Sequence, residues 1–343
     1  MTGTSQKTSR ITLDVESVQS FIKLLENPQW TEKDLNRFVS TRGIQFLLQQ
    51  EKESGPNFSE NTVKTYMRRI QKGFSGEQGG WEIAWKERSA LQERLTHLLE
   101  KWDGFVSHCL SVSEEYTPKW AALETRCHIL PGGFRESYSN SEEFAINMGH
   151  GEKTDPQWMF SIGYEGFHCW LNRVMGERYR IKDCRTPSEF VEAFLDITHR
   201  EGLALLVGLK AAGIEEQFTE EYATDLEKKK KMYARVFEYA VEGRAPKEIE
   251  WIQKVFSGYT SPSALLGFQM AKVLDESDEK TGHSIGKNML QGSVAEIGFI
   301  FFFKLFRYYD RDSHLFPEIV WNAFQDLLQE KGIGSVGEGF FPL

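Results

Sequence analysis

The sequence predicts a mostly helical α+β protein that contains one small sheet. Apolar residues recur at helical spacing over most of the 343 residues. Two short segments near the middle of the chain, 123–130 and 144–148, have instead the character of strands. Hydrophobic residues make up 40% and charged residues 27% of the chain, which is typical of globular proteins.

The first 115 residues are predicted to form a helical N-terminal region. Gly55-Pro56 and the glycine-rich stretch 76–80 separate its helices, and Ser89–Leu110 is a longer amphipathic segment. The apolar residues that mark the earlier helices at helical spacing are Val18, Phe21, Ile22, Leu24, Leu25, Leu35, Phe38, Ile44, Phe46 and Leu47.

A second region, residues 116–215, is predicted to hold the sheet. The segment 123–130 is followed by a turn at Pro131-Gly132-Gly133. The next segment alternates with a period of two, which indicates a half-buried strand. Its apolar side chains at 144, 146 and 148 are expected to face the core. Ala145 and Asn147 are then expected to face outwards.

Two helices complete this region. Asp155 is a favourable N-cap residue and Pro156 suits the first helical position, so a largely apolar helix begins there. It carries Tyr164, Glu165 and His168. The segment Thr186-Pro187-Ser188-Glu189 is a capping box that begins the next helix, which carries Glu201 and extends to about Ala211.

The third region, residues 216–343, is predicted to be helical, with breaks at 258–262 and 275–286. Its most apolar stretch, Ile297–Phe306, is short and is interrupted by Lys304. Because a membrane span needs about 20 apolar residues, this stretch is interpreted as a buried helix. No membrane partner is expected.

Charge and cysteine content narrow the function classes. The net charge of −9 argues against a general nucleic-acid surface. The basic run Lys228–Lys231 follows an acidic stretch and is read as a solvated helix face. The four cysteines form no C-x-x-C pair, so neither a disulfide framework nor a thiolate zinc site is indicated. The polar start of the chain, Met1–Thr12, lacks a signal peptide core, and a cytoplasmic location is expected.

The spacing of Tyr164, Glu165 and His168 suggests metal chemistry. Side chains at i and i+4 share one helix face, so Tyr164 and His168 point the same way. A catalytic zinc takes three protein ligands and leaves one position for water. His168 and Glu201 would be ligands and Glu165 the general base. Tyr164 could bind only as a tyrosinate, which requires a lowered pKa. The alternative is a chance E-x-x-H pattern with a histidine in the core.

The stretch from Cys127 to Ala204 resembles the gluzincin zinc metallopeptidases, in a largely uncharacterised bacterial branch with a helical N-terminal region. The order of its parts carries the resemblance: a turn, a strand, the Tyr-Glu-Gly-Phe-His helix, and a helix with Arg-Glu-Gly-Leu-Ala. Tyr164 stands where H-E-x-x-H has its first histidine.

The resemblance implies a zincin-like small sheet with two metal-site helices. The strand Glu143–Met148 would be an exposed edge that pairs with an extended substrate through Ala145 and Asn147. Glu165 would be the general base, and His168 and Glu201 would be zinc ligands. Tyr259 is a weaker candidate for supporting an oxyanion, since it lies eight residues before Gly267.

Three functions remain open at this point. The first is a zinc-dependent peptidase with an altered metal site, in which His150, His128 or His199 could replace the missing histidine. The second is an inactive pseudopeptidase that binds a peptide or protein partner. The third is a carboxylate-bridged di-iron enzyme, because Glu165-x-x-His168 and Asp196-x-x-His199 are acid-x-x-His pairs on successive helices.

Overall fold

A computed structural model describes residues 9–27, 29–54, 58–73, 80–118, 120–176, 179–281, 285–294, 298–309 and 314–333. The chain divides into two compact units. Unit 1 comprises Met1–Val112 and Ala122–Trp170, and unit 2 comprises Ser113–Ala121 and Leu171–Leu343. The division into three regions, with boundaries near 115 and 215, stays a prediction.

Unit 1 contains the sheet and the first seven helices. The strands are β1 (Arg10–Asp14), β2 (Glu124–Leu130), β3 (Ser137–Ser139) and β4 (Glu143–Asn147). The helices are α1 (Glu16–Glu26), α2 (Glu32–Val39), α3 (Arg42–Ser54), α4 (Glu60–Gln71), α5 (Trp81–Lys86), α6 (Arg88–Glu114) and α7 (Asp155–Met175). The last few residues of α6 and α7 belong to unit 2.

Unit 2 is helical throughout its described residues. Its helices are α8 (Pro187–Ala212), α9 (Glu215–Ala223), α10 (Leu226–Val241), α11 (Ile249–Val255), α12 (Pro262–Thr281), α13 (Ile285–Gly292), α14 (Gly298–Tyr309) and α15 (Glu318–Glu330). A mostly helical protein with one small mixed sheet confirms the predicted fold class.

The sheet has the strand order β1-β2-β4-β3. β1, β2 and β4 are parallel, whereas β3 runs antiparallel to β4. The strand predicted at 123–130 is β2. β1 and β3 were not predicted. β1 overlaps the start of the segment expected to be helical, and β3 is only three residues long.

The prediction for β4 was partly wrong. Ala145 and Asn147 are fully buried, as are Phe144 and Ile146, and β4 lies between β2 and β3 rather than at an edge. The reason is that helices cover both faces of the sheet.

One face of the sheet packs against α7, where Gly166 faces the side chains of Ile11 on β1 and Phe144 on β4. The other face packs against α3, where Phe46 stacks on His128 of β2 with ring centroids 5.5 Å apart. Successive side chains of a strand therefore enter different layers, and both layers are buried.

Asn147 is buried because the loop before β3 satisfies its amide. Its Nδ2 donates to the carbonyl oxygens of Gly133, at 3.1 Å, and Arg135, at 3.2 Å. Its Oδ1 accepts from the backbone N–H of Gly149 at 2.8 Å. A polar side chain in a strand need not face water when backbone groups take all of its hydrogen bonds.

His128 connects three strands. Its Nδ1 lies 2.9 Å from Oδ2 of Asp14 on β1, and its Nε2 lies 2.9 Å from Oε2 of Glu143 on β4. Arg42 of α3 also donates to Glu143, at 3.0 Å. Each ring nitrogen of buried His128 thus has a carboxylate oxygen as its partner, and the two contacts join β2 to β1 and to β4.

The helix starts predicted from sequence are largely confirmed. Thr186 and Glu189 form the capping box that begins α8. At the start of α7, Thr154 and Gln157 exchange hydrogen bonds, so Thr154 takes the capping role expected of Asp155, which is the first helical residue. The phenylalanine-rich segment forms the largely buried helix α14. Among the described helices, none is long and apolar enough to cross a membrane.

In unit 2, α8 and α12 approach so closely that their backbones touch. A Cβ on Gly202 would overlap the backbone of Gly267, and a Cβ on Gly267 would overlap the carbonyl oxygen of Thr198. Both positions therefore require glycine for steric reasons.

We expect Gly267→Ala to lower the free energy of unfolding by about 1–3 kcal/mol, because the new methyl group forces two tightly packed helices apart. Urea denaturation followed by circular dichroism measures the change. Gly104→Ala in α6 is the matched control. The space around Gly104 is open, so alanine there should stabilise by about 0.5–1 kcal/mol. Equal effects of the two substitutions would contradict the packing argument.

Asp14→Asn should destabilise the protein by about 1.5–3 kcal/mol at neutral pH, because it removes a charged hydrogen-bond partner of buried His128. The hydrogen bond from His128 lowers the pKa of Asp14 below its ordinary value of 3.8. A lowered folded-state pKa contributes stability that is full above the unfolded pKa and is lost as the pH falls through the folded value.

The stability difference between wild type and Asp14→Asn should therefore be constant above about pH 5 and shrink below about pH 4. Thermal unfolding across this range tests it. Asp103→Asn, at an exposed position of α6, should have almost no effect. A difference that persists unchanged at low pH would show that the Asp14 carboxylate is not the source.

Candidate functional site

The three residues singled out in the Tyr-Glu-Gly-Phe-His segment lie on α7, as predicted. Tyr164, Glu165 and His168 are all buried, with 7%, 5% and 4% of their surface exposed. Their burial follows from the position of α7 against the sheet, where Gly166 faces Ile11 and Phe144. These three side chains therefore project from a helix rather than from a loop.

Aromatic contacts fix the orientation of Tyr164. Its ring stacks on Phe160, one helical turn earlier, with centroids 5.5 Å apart and an angle of 11° between the planes. It meets His168, one turn later, edge to face at 4.6 Å and 89°. The three rings form a ladder along one side of α7, which is the ordinary packing of residues spaced by four.

Glu165 is held by a residue that sequence reasoning missed. The Oγ of Ser137 on β3 donates a hydrogen bond to Oε1 of Glu165. β3 is an edge strand, so this contact brings the carboxylate to the border of the sheet. The sequence signal was weak, because Ser-Tyr-Ser is a short alternation 28 residues before Glu165.

The outer side of β3 has backbone groups that β4 does not use. Glu136 O accepts from Asn147 N at 2.8 Å, and Asn140 N donates to Glu143 O at 3.0 Å. In an antiparallel pair the residues between such bonds direct their N–H and C=O groups the other way. Ser137 and Ser139 therefore present backbone donors and acceptors at the free edge.

The predicted metal ligands are divided between the two units. His168 belongs to unit 1 and Glu201 to unit 2, where Glu201 is buried on α8. Within the described residues, no three His, Cys, Asp or Glu side chains come together as a group that could hold a metal ion. Tyr164 is packed between aromatic rings. The side chains present thus fit a three-ligand zinc site poorly.

The three histidines considered as replacement ligands each have another role. His128 bonds to Asp14 and Glu143 in the sheet. His150 Nε2 donates to the carbonyl oxygen of Gly133 at 3.0 Å. His199 Nε2 lies 3.0 Å from Oγ of Ser293, and burial lowers the pKa of His199 to about 3.

The second acid-x-x-His pair is also occupied. Asp196 forms an ion pair with Arg200, with Oδ2 2.9 Å from Nε. Arg200 donates in addition to the carbonyl oxygen of Gly176 at 2.9 Å. Asp196 is therefore paired with Arg200 near the end of α7, and His199 is packed within unit 2. The di-iron prediction gains no support from them.

Tyr259 is the remaining candidate residue, whereas His97, His108 and His283 were not predicted to be ligands. Tyr259 is exposed next to Gly258, which has a φ of 84°, and its role stays a prediction. His97 is on the surface and pairs with Asp155 at 2.7 Å, and His108 is exposed. His283 lies outside the described residues.

The four cysteines are buried and form no disulfide. Burial raises the pKa of Cys109 to about 12 and that of Cys184 to about 11. Thiols of this kind are poor nucleophiles at neutral pH. The candidate chemistry of unit 1 therefore rests on α7 and β3.

The resemblance to the gluzincins rests on the sequence motifs alone. No protein-family model matches the chain, and searches of curated proteins and of solved structures find no significant match. The resemblance to the gluzincins accordingly stays a prediction.

Proposed function

We propose that this chain is a zinc-peptidase-like protein with a degenerate metal site, which binds an extended peptide along the free edge of β3. One observation carries the proposal. The hydrogen bond from Ser137 to Glu165 holds a helix carboxylate beside an edge strand. An edge strand for the backbone with a carboxylate next to it is suited to peptide substrates, and we call this edge of β3 the peptide groove.

The peptide would pair with β3 by strand addition. Ser137 and Ser139 supply outward backbone groups, and main-chain hydrogen bonds of this type are independent of peptide sequence. Because side chains of a strand alternate between the two faces, every second residue of the peptide would lie on the α7 side. Specificity would come from those positions.

Glu165 would act next to this strand as a hydrogen-bond acceptor and, if water is activated there, as a general base. Ser137 fixes one of its oxygens, Oε1. Its position matches the base of the resembled family. The carboxylate is retained and partnered in a buried place, which is the observation that favours amide hydrolysis as a second candidate function.

Because the metal site is altered, we propose peptide binding ahead of amide hydrolysis. His168 is the one histidine of the α7 pair, and the ring ladder of Phe160 and Tyr164 occupies the position of the other. Zinc affinity falls steeply with each ligand removed. A binding protein that retains the groove is therefore better supported than an efficient zinc enzyme.

Ser139→Pro tests the groove. Proline removes the outward N–H of residue 139 and is tolerated at strand edges, so the fold should persist. We expect peptides selected from a synthetic library of unstructured decapeptides to bind at least about tenfold more weakly, since an edge donor and the strand geometry are lost. Calorimetric titration measures this.

Ser139→Ala is the matched control, because it removes the hydroxyl but keeps the backbone N–H. Its affinity should stay within about twofold of wild type. The proposal is wrong if no decapeptide binds the wild-type protein. It is also wrong if Ser139→Pro, shown folded by circular dichroism, binds as tightly as wild type.

Tyr164→His tests the degenerate metal site. Restoring a histidine at i and i+4 with His168 should raise zinc affinity by at least about tenfold, because it adds a nitrogen ligand on the correct helix face. Equilibrium dialysis with zinc measures the change. Tyr164→Phe keeps the stacking on Phe160 and should leave zinc affinity unchanged.

A third variant separates metal binding from catalysis. In the Tyr164→His background, Glu165→Gln should leave zinc affinity nearly unchanged and abolish any cleavage of the library, which mass spectrometry detects. If Tyr164→His does not bind zinc more tightly than Tyr164→Phe, the alignment of Tyr164 with the missing histidine is wrong.

A further inference from the structure

An open cavity of about 640 Å³ lies in unit 1, beside α3 and the start of α4. One side of α3 lines it with Arg42, Gln45, Phe46, Gln49 and Lys52, which share a helix face. The opposite wall includes residues 59–61 and Glu143. A volume of this size is in the range of small-molecule sites.

The charges at the Arg42 end of the cavity are already compensated. Arg42 donates to Glu143 through Nε at 3.1 Å and Nη2 at 3.0 Å. Glu143 also accepts from His128, which is fully buried and bonded to Asp14 on its other side. This network joins residues of four elements, α3, β4, β2 and β1, so it forms a polar wall in which the charge of Arg42 is paired with that of Glu143.

Lys52 is the cation that remains at the other end. Among the described residues it makes no ion pair, and the side chains of Gln49 and Asn61 make no hydrogen bond there. Glu60 differs, because its carboxylate accepts a hydrogen bond from Nε2 of Gln45 at 3.1 Å. The cavity therefore offers one unused positive charge and two unused amides.

We propose that this cavity binds a small organic monocarboxylate. Its carboxylate would pair with Lys52 and accept from the amides of Gln49 and Asn61, and its apolar body would lie against Phe46 and Leu48. A single free ammonium matches one negative charge. A phosphate dianion would need a second cation, and Arg42 is already engaged by Glu143.

The dimensions support a ligand with an extended body. Lys52 lies ten residues after Arg42, so the two ends of the α3 face are about 15 Å apart. The site is separate from the peptide groove, because Glu143 faces α3 whereas its neighbour Phe144 faces α7. The two proposals can therefore fail independently.

Hexanoate and its uncharged analogue hexanamide test the proposal on the full chain. Titrations followed by NMR of the protein should show hexanoate binding on the order of millimolar. Hexanamide should bind about three- to fivefold more weakly, which is the effect of one partly exposed ion pair. In Lys52→Gln the two compounds should bind equally.

Lys23→Gln is the matched control, because Lys23 is an exposed lysine on α1 that does not line the cavity. It should keep the wild-type preference for hexanoate. The proposal is overturned if hexanoate does not bind wild type across the millimolar range, if hexanamide binds wild type as well as hexanoate, or if Lys52→Gln keeps the preference. Inorganic phosphate binding more tightly than hexanoate would overturn the assignment of the ligand class.

Discussion

Burial of the sheet on both faces is the constraint on which unit 1 depends. Strands of three to seven residues present few side chains, so every polar group among them needs a protein partner. His128 obtains two carboxylates, Asn147 obtains three backbone groups, and Glu165 obtains the hydroxyl of Ser137. The two bonds of His128 also link β2 to its neighbours on both sides, β1 and β4. They also decide which groups reach the borders of the sheet, where ligands have access.

Local sequence signals predicted the helices well and the sheet only in part. The capping box at Thr186 and the length of the apolar pattern in α7 are properties of neighbouring residues, and such patterns identify helices reliably. The alternation in β4 was correct as a strand signal but wrong about its faces. A pattern cannot distinguish an asparagine that meets water from one that meets the carbonyl oxygen of Gly133. β1 was missed because its pairing partner, β2, begins more than a hundred residues later.

The candidate site shows the same limit. The spacing of Tyr164, Glu165 and His168 predicted their common helix, because i, i+1 and i+4 geometry is local. The partner of Glu165, Ser137, and the alternative bonds of His150 and His199 depend on tertiary contacts. Sequence reasoning thus placed these three residues correctly on one helix, and their chemistry stays a prediction. It could not tell which histidines were free to act as ligands.

The contact between Gly202 and Gly267 has a consequence for motion within unit 2. Two helices whose backbones touch interlock, because sliding α8 by one residue would bring the side chain of Glu201 or Leu203 against the backbone of α12. α8 and α12 are therefore expected to move as one rigid element. A displacement of α12 would therefore also move the residues on either side of Gly202. The position of the neighbouring Glu201 thus depends on a helix that begins some sixty residues further along the chain.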